Sequence, residues 1–152
     1  MSLNEETELL AKIPLFANID PSKRKLLAFT SNKLTFASGQ NLFRQGDIGD
    51  SAYIIMSGKA DVLIEGAKGE ISIARLGKNE LIGEIAILVD EPRSATVRVV
   101  TELTALEISK DTFLRLVAEF PEIGIEVMRE LAHRLDRTTT RLGEVHNGRR
   151  YC

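Results

Sequence analysis

The order of apolar and polar positions changes character three times along the chain. Residues 4–11 carry Leu9 and Leu10 at helical spacing, with Ile13 just beyond, and Pro14 ends the run. Leu15-Phe16 form an apolar plug. Asp20-Pro21 then supply a capping carboxylate and a first-turn proline for a second helix, with Leu26, Leu27 and Phe29 on its buried side. The spacing therefore predicts an N-terminal helical pair over residues 4–30. From 32 to 109 the period falls to about two, broken by glycine every ten residues or so. Eight strands are predicted at 33–36, 41–44, 52–57, 59–65, 70–76, 80–82, 95–100 and 103–108, with the densest turn at Gly46-Asp47-Ile48-Gly49-Asp50. Short strands with glycine corners predict a mainly β fold, an antiparallel jelly-roll-like barrel, rather than a parallel α/β sheet. Past Ser109 the period is helical again over 110–145. Ser109 or Asp111 can cap a helix bearing Phe113, Leu116 and Val117, and Pro121 opens a long last helix. There Met128, Leu131, Leu135, Thr138, Leu142 and Val145 follow the alternating 3,4 spacing of a short heptad seam.

One segment interrupts the strands. Ile85 to Val89 form an apolar run long enough for a short helical turn, preceded by Gly83-Glu84 and followed by Asp90-Glu91-Pro92 and then Arg93-Ser94-Ala95-Thr96-Val97. Glycine at 83 lets backbone approach a ligand closely, and the unpaired amides that open a helix suit an anion. Arg93 offers a planar donor fork that matches two phosphate oxygens, and Ser94 offers a hydroxyl. Glu84 would repel the same anion and is better suited to accept from a neutral hydroxyl such as a ribose 2′-OH. A phosphate beside a sugar hydroxyl describes a nucleotide.

The run Gly-Glu-Ile-Ala-Ile-Leu from Gly83, a spacer, and Arg-Ser-Ala-Thr-Val ending at Val97, with nine positions from Glu84 to Arg93, resembles the phosphate-binding cassette of the cyclic-nucleotide-binding domain family. In overall pattern the chain is most similar to the family's catabolite-activator branch, without a following helix-turn-helix domain. The resemblance implies a single domain over 1–152, with a short cassette helix inside the barrel. It also implies a regulatory sensor, most readily for cAMP with cGMP possible as ligand, rather than an enzyme. Glu84 would hold the ribose hydroxyl. Arg93 and Ser94 would hold the cyclic phosphate, helped by Gly83 and by amides around Ile85, Ala86 and Ala95. Val62, Ile73 and Leu76 would line the base and sugar pocket. Thr138 and Thr139 match helix positions that touch adenine in that branch. The ligand would drive the C-terminal helices to rearrange, and a homodimer would form through Met128, Leu131, Leu135, Thr138 and Leu142. The same stripe could instead pack on its own barrel.

Composition narrows the alternatives. The chain has 152 residues and a formal net charge of −2, so no global pull toward nucleic acid or acidic membrane is expected. Arg149 and Arg150 are too few for a nucleic-acid patch, and no recognition helix is expected in this sequence. No apolar run approaches the roughly 20 residues of a membrane span. Cys152 is the single cysteine, so no intrachain disulfide can form and a cytoplasmic location is expected. His133 and His146 are the two histidines, both outside 32–109, which argues against a metal site and a cupin-type enzyme. The remaining alternative is a dimerisation or docking scaffold whose nucleotide pocket stays unoccupied.

Overall fold

A computed structural model of the chain describes residue 8 and residues 10–12, 16–17, 20–129 and 131–133. Its frame is a pair of long antiparallel strands, β3 (Ser51–Gly66) and β6 (Thr96–Ser109), which run against each other from Ser51 opposite Ser109 to Leu63 opposite Thr96. On β6 lie β1 (Asn32–Phe36) and β2 (Asn41–Phe43); on β3 lie β4 (Gly69–Leu76) and β5 (Leu81–Ile82). The main path is β1-β6-β3-β4, all antiparallel.

This differs from the predicted closed barrel of eight strands. Among the described residues there are six strands in one open sheet. The two extra strands arise because the predicted breaks after 57 and 100 are bends within continuous strands. Gly58 has φ +92, and a Cβ there would lie 2.2 Å from the Glu102 carbonyl oxygen. The β3–β6 register shifts three times between Ile55 and Ala60, a bulge that bends the pair without ending it. A glycine that reads as a turn in the sequence is here a corner inside a strand.

The bend lets the sheet bury both faces of its first half. Ala52, Ile54 and Met56 of β3, with Leu106 and Ile108 of β6, face the helices. Tyr53 and Ile55, with Leu103 and Ala105, face the inside of the roll, where they meet Leu42, Leu76, Ile82 and Val97. Helix α1 (Pro21–Thr30) is capped by Asp20, whose carboxylate accepts from the Ser22 amide. It inserts Leu27 and Ala28, whereas Leu26 is 56% and Phe29 75% exposed. Only a narrow side of this helix is covered, so the predicted three-residue apolar face is correct at Leu27 alone. Helix α2 (Glu84–Val89) follows β5 directly. Helix α3 (Lys110–Glu119) is capped by Ser109, which accepts from the Thr112 amide, and buries Phe113 and Leu116.

A further helical run starts at Pro121. It packs Ile123 and Val127 on the helix-side core, with Leu131 partly buried against it, while Met128 is 62% exposed. The inward stripe is thus 123-127-131 rather than one shared by 128 and 131. Leu135, Thr138, Leu142 and Val145 lie outside the described residues. Among the described residues no helix is long and apolar enough to cross a membrane, and no group of His, Cys, Asp and Glu could hold a metal ion.

Candidate functional site

The connection from β5 to β6 carries the site. Gly83 precedes α2 with φ +87, a left-handed turn that the chain needs to leave β5 and enter the helix at once. A Cβ at this position would come within 2.6 Å of Arg93 Nη1. Glu84 is the first residue of α2 and is 2% exposed. Ala86 and Ile87 are buried beneath the helix, with Ile87 in the helix-side core. Asp90 ends α2 in the left-handed region, its amide donating to the Ala86 carbonyl. The chain then returns to β6 through Arg93.

Arg93 is 4% exposed, which is rare for arginine and requires partners. Its backbone is fastened to the turn after β2: the Gly46 amide donates to the Arg93 carbonyl and the Arg93 amide donates to the Asp47 carbonyl, both at 2.8 Å. Its side chain donates from Nη1 to the Gly83 carbonyl and from Nη2 to the Ser51 carbonyl, both at 2.7 Å. The guanidinium carbon lies 4.0 Å from the centroid of the Phe43 ring. Nε is buried without a hydrogen-bond partner among the described residues. Burial pulls the guanidinium below its usual pKa; Tyr53, Asp50, Asp47 and Glu84, in that order, oppose the shift. A guanidinium does not lose its proton in a protein, so Arg93 is a desolvated cation with several N–H groups still uncommitted.

Arg93 and Glu84 border one cleft, about 410 Å³ with its open mouth included. Of the residues expected from the sequence, Gly83, Glu84, Ile85, Ala86, Arg93, Ser94, Ala95, Val62 and Leu76 all line it. Ile73 does not. The β3–β4 register slips between Val62 and Leu63, opposite Ala74 and Ser72, and Ile73 is the extra residue at that irregularity. Thr138 and Thr139 lie outside the described residues. Phe43, Ile82 and Val97 also line the cleft and were not singled out from the sequence. Nothing in their spacing separates a pocket wall from core; the aromatic at 43, three residues before the first glycine of the 46–50 turn, is the one usable signal. The lining is therefore chemically mixed: Glu84, Arg93, Ser94 and the α2 backbone are polar, and Val62, Leu76, Ile82 and Val97 are apolar.

A second layer stands behind Arg93. Ser51 Oγ donates to Tyr53 Oη at 3.2 Å, and Tyr53 Oη donates to Glu107 Oε2 at 3.0 Å. Burial, more than the nearby Glu107 carboxylate, raises the Tyr53 phenol above its ordinary value, with the Ser51 hydrogen bond working the other way. The site also touches α3: the Lys110 amide donates to the Asp50 carbonyl at 2.9 Å, and Lys110 Nζ donates to Asp90 at 3.1 Å.

A cyclic nucleotide-binding domain model matches residues 33–120, more than half of the chain. A CRP-like cAMP-activated global transcriptional regulator from Mycobacterium tuberculosis is 31% identical over 139 residues, covering 91% of this chain and 62% of that protein. A cAMP-dependent protein kinase regulatory subunit from Emericella nidulans is 32% identical over 114 residues, covering 75% of this chain and 27% of that protein. These relatives carry the names of regulators, and this chain spans less than two thirds of either. The solved catabolite activator protein of Thermus thermophilus superposes with a TM-score of 0.74 at 28% identity, over 88% of this chain and 63% of that one. With the cassette in place between β5 and β6 and the model matched across the whole sheet, the chain belongs to the cyclic nucleotide-binding domain family.

Proposed function

We propose that this domain is a regulatory sensor that binds a cyclic nucleotide, cAMP before cGMP, in the cleft between α2 and β6. The observation that carries the reading is that Glu84 and Arg93, both buried, border the same cleft. The residues present fit such a ligand. The buried, unpartnered Nε of Arg93 asks for an acceptor, and a cyclic phosphate supplies one. Arg93 binds the phosphate with the N–H groups not used by Gly83 and Ser51, and Ser94 and the amides near Ala86 and Ala95 add donors. Glu84 accepts from the ribose 2′-OH. Val62 and Leu76 cover the base. The names of the curated relatives favour cAMP over cGMP.

The output of binding is a shift of the helices that follow Ser109. Support comes from the two hydrogen bonds of Lys110, which tie the start of α3 to Asp50 beside Ser51 and to Asp90 at the end of α2. A ligand that draws α2 toward Arg93 changes the strain on both ties, and it biases the helices only as far as it prefers one arrangement. Calorimetric titration with cAMP, cGMP and 5′-AMP tests the reading. Saturable binding of a cyclic nucleotide is expected, with cAMP tighter than cGMP and 5′-AMP weak. At a hundredfold excess over Kd the ligand should add about 2.7 kcal/mol of stability. No heat and no thermal shift with either cyclic nucleotide would leave a docking scaffold as the better reading.

A further inference from the structure

Given that Arg93 binds the phosphate, we infer that Phe43 is the residue that positions it, holding the guanidinium by its face so that its in-plane donors stay available. The two 2.7 Å bonds to the Gly83 and Ser51 carbonyls fix one edge of the fork. They do not by themselves fix the plane, because both acceptors are carbonyl oxygens with broad angular tolerance. The Phe43 ring, 4.0 Å from the guanidinium carbon, fixes it.

Three carboxylates, Asp50, Asp47 and Glu84, act on the same cation. A side chain held only by an ion pair with one of them would spend its N–H groups on that carboxylate and arrive neutralised at the phosphate. A ring face stabilises a cation without using a donor. Phe43 is itself held. Its ring centroid is 6.1 Å from that of Tyr53, and the Tyr53 ring meets Phe36 edge-on at 6.5 Å. The Tyr53 hydroxyl is clamped between Ser51 and Glu107. An aromatic row from β1 through β3 to β2 thus ends beneath Arg93, and Ser51 contributes to it twice, with its hydroxyl on Tyr53 and its carbonyl on Arg93.

The test uses Phe43→Leu, which keeps an apolar side chain and removes the ring, and Phe43→Trp, which keeps an aromatic face. In the free wild-type chain, the Arg93 Hε and Hη resonances should be displaced upfield by the ring current, and Phe43→Leu should abolish that displacement. By calorimetry Phe43→Leu should weaken cAMP about five- to thirtyfold. Phe43→Trp should stay within about threefold. Adenosine, which lacks the phosphate, should lose less than about twofold by NMR titration with Phe43→Leu, since positioning acts through Arg93 alone. In an Arg93→Lys background the effect of Phe43→Leu should largely vanish. Equal losses for cAMP and adenosine, or full additivity with Arg93→Lys, would make Phe43 a mere pocket wall and overturn the inference. Wild-type protein that binds no cyclic nucleotide would overturn the functional reading instead. Arg93 resonances unmoved by Phe43→Leu would refute the positioning alone.

Discussion

Glu84→Gln separates the sugar contact from everything else in the cleft. The substitution keeps the side chain's size and removes its charge at a position 2% exposed to solvent. Three effects follow together. The carboxylate no longer accepts a charge-assisted hydrogen bond from the ribose 2′-OH. It no longer repels the phosphate. It no longer supports the Arg93 cation, on which it acts electrostatically. The last two concern charge alone and are the same for a nucleotide with or without the hydroxyl. The first exists only when the hydroxyl is present. A hydrogen bond to a charged group contributes about 1.5–3 kcal/mol and one between neutral groups about 0.5–1.5, so the exchange should remove roughly 1–1.5 kcal/mol of the hydroxyl contact, about a tenfold change in Kd. The assay is a four-way comparison: wild type and Glu84→Gln, each titrated with cAMP and with 2′-deoxy-cAMP. Wild type should prefer cAMP by more than tenfold, and the variant should lose most of that preference whatever happens to absolute affinity. Distant, independent effects add within about 0.3–0.5 kcal/mol. If the ratio of the two Kd values is unchanged within that margin, Glu84 does not hold the sugar.

Gly83→Ala should lower the urea midpoint, with about 1–2 kcal/mol lost to the left-handed φ of +87, and should also weaken cyclic-nucleotide binding, because the new Cβ falls 2.6 Å from Arg93 Nη1. Ser109→Ala removes the hydroxyl that accepts from the Thr112 amide at the start of α3. It should cost about 1 kcal/mol, seen as a drop of a few degrees in Tm. Stability should also fall at alkaline pH. The unfolded chain loses the Tyr53 proton near the ordinary phenol value of 10.0, whereas the folded chain keeps it to higher pH. This contribution is therefore complete below that value and disappears as pH rises through the folded pKa. Urea titrations across that range should show a slope that Tyr53→Phe reduces; an equal slope in both proteins would refute the assignment.

The polar half of the cleft was legible because it is local. Gly83, Glu84, Arg93 and Ser94 lie within one short connection, so spacing alone brings them together. The apolar half is non-local. Val62 and Leu76 were expected on one wall and are there, but Ile73 was not separable from them, since one extra residue in β4 re-aims a side chain and leaves no mark on composition. Phe43 comes from the opposite side of the chain's turn at 44–50 and reaches the cleft through the pairing of β2 with β6, where it lies opposite Val97, and through the bonds of Arg93 to Gly46 and Asp47. The strand count failed at Gly58 for a related reason. Glycine marks a positive φ, and a sequence does not say whether the chain reverses there or merely bends. Leu26 and Phe29 show the converse limit: helical spacing names a face, but only the neighbours decide how much of it is covered.

If Arg93 binds the phosphate as proposed, its orientation links binding to stability. A surface arginine would meet a phosphate as an already solvated cation, with little change elsewhere. Arg93 has left water before any ligand arrives, with Nη1 and Nη2 on two carbonyls and Nε on nothing described. Desolvation without full pairing is unfavourable, and burial accordingly pulls the guanidinium below its usual pKa. The fold carries that cost in the free state because the same side chain closes the Gly83 turn, holds Ser51 and rests on Phe43. A bound phosphate would pair donors already stripped of water and already oriented, so little further desolvation or ordering is needed at the moment of binding. Buried polar groups left partly satisfied are the usual place where a fold concedes stability to function. Under the proposed function that concession would sit on Arg93, a cation that Gly83, Ser51, Gly46 and Asp47 all hold, so that the turn after β2, the start of β3 and the two ends of the cassette meet at one side chain.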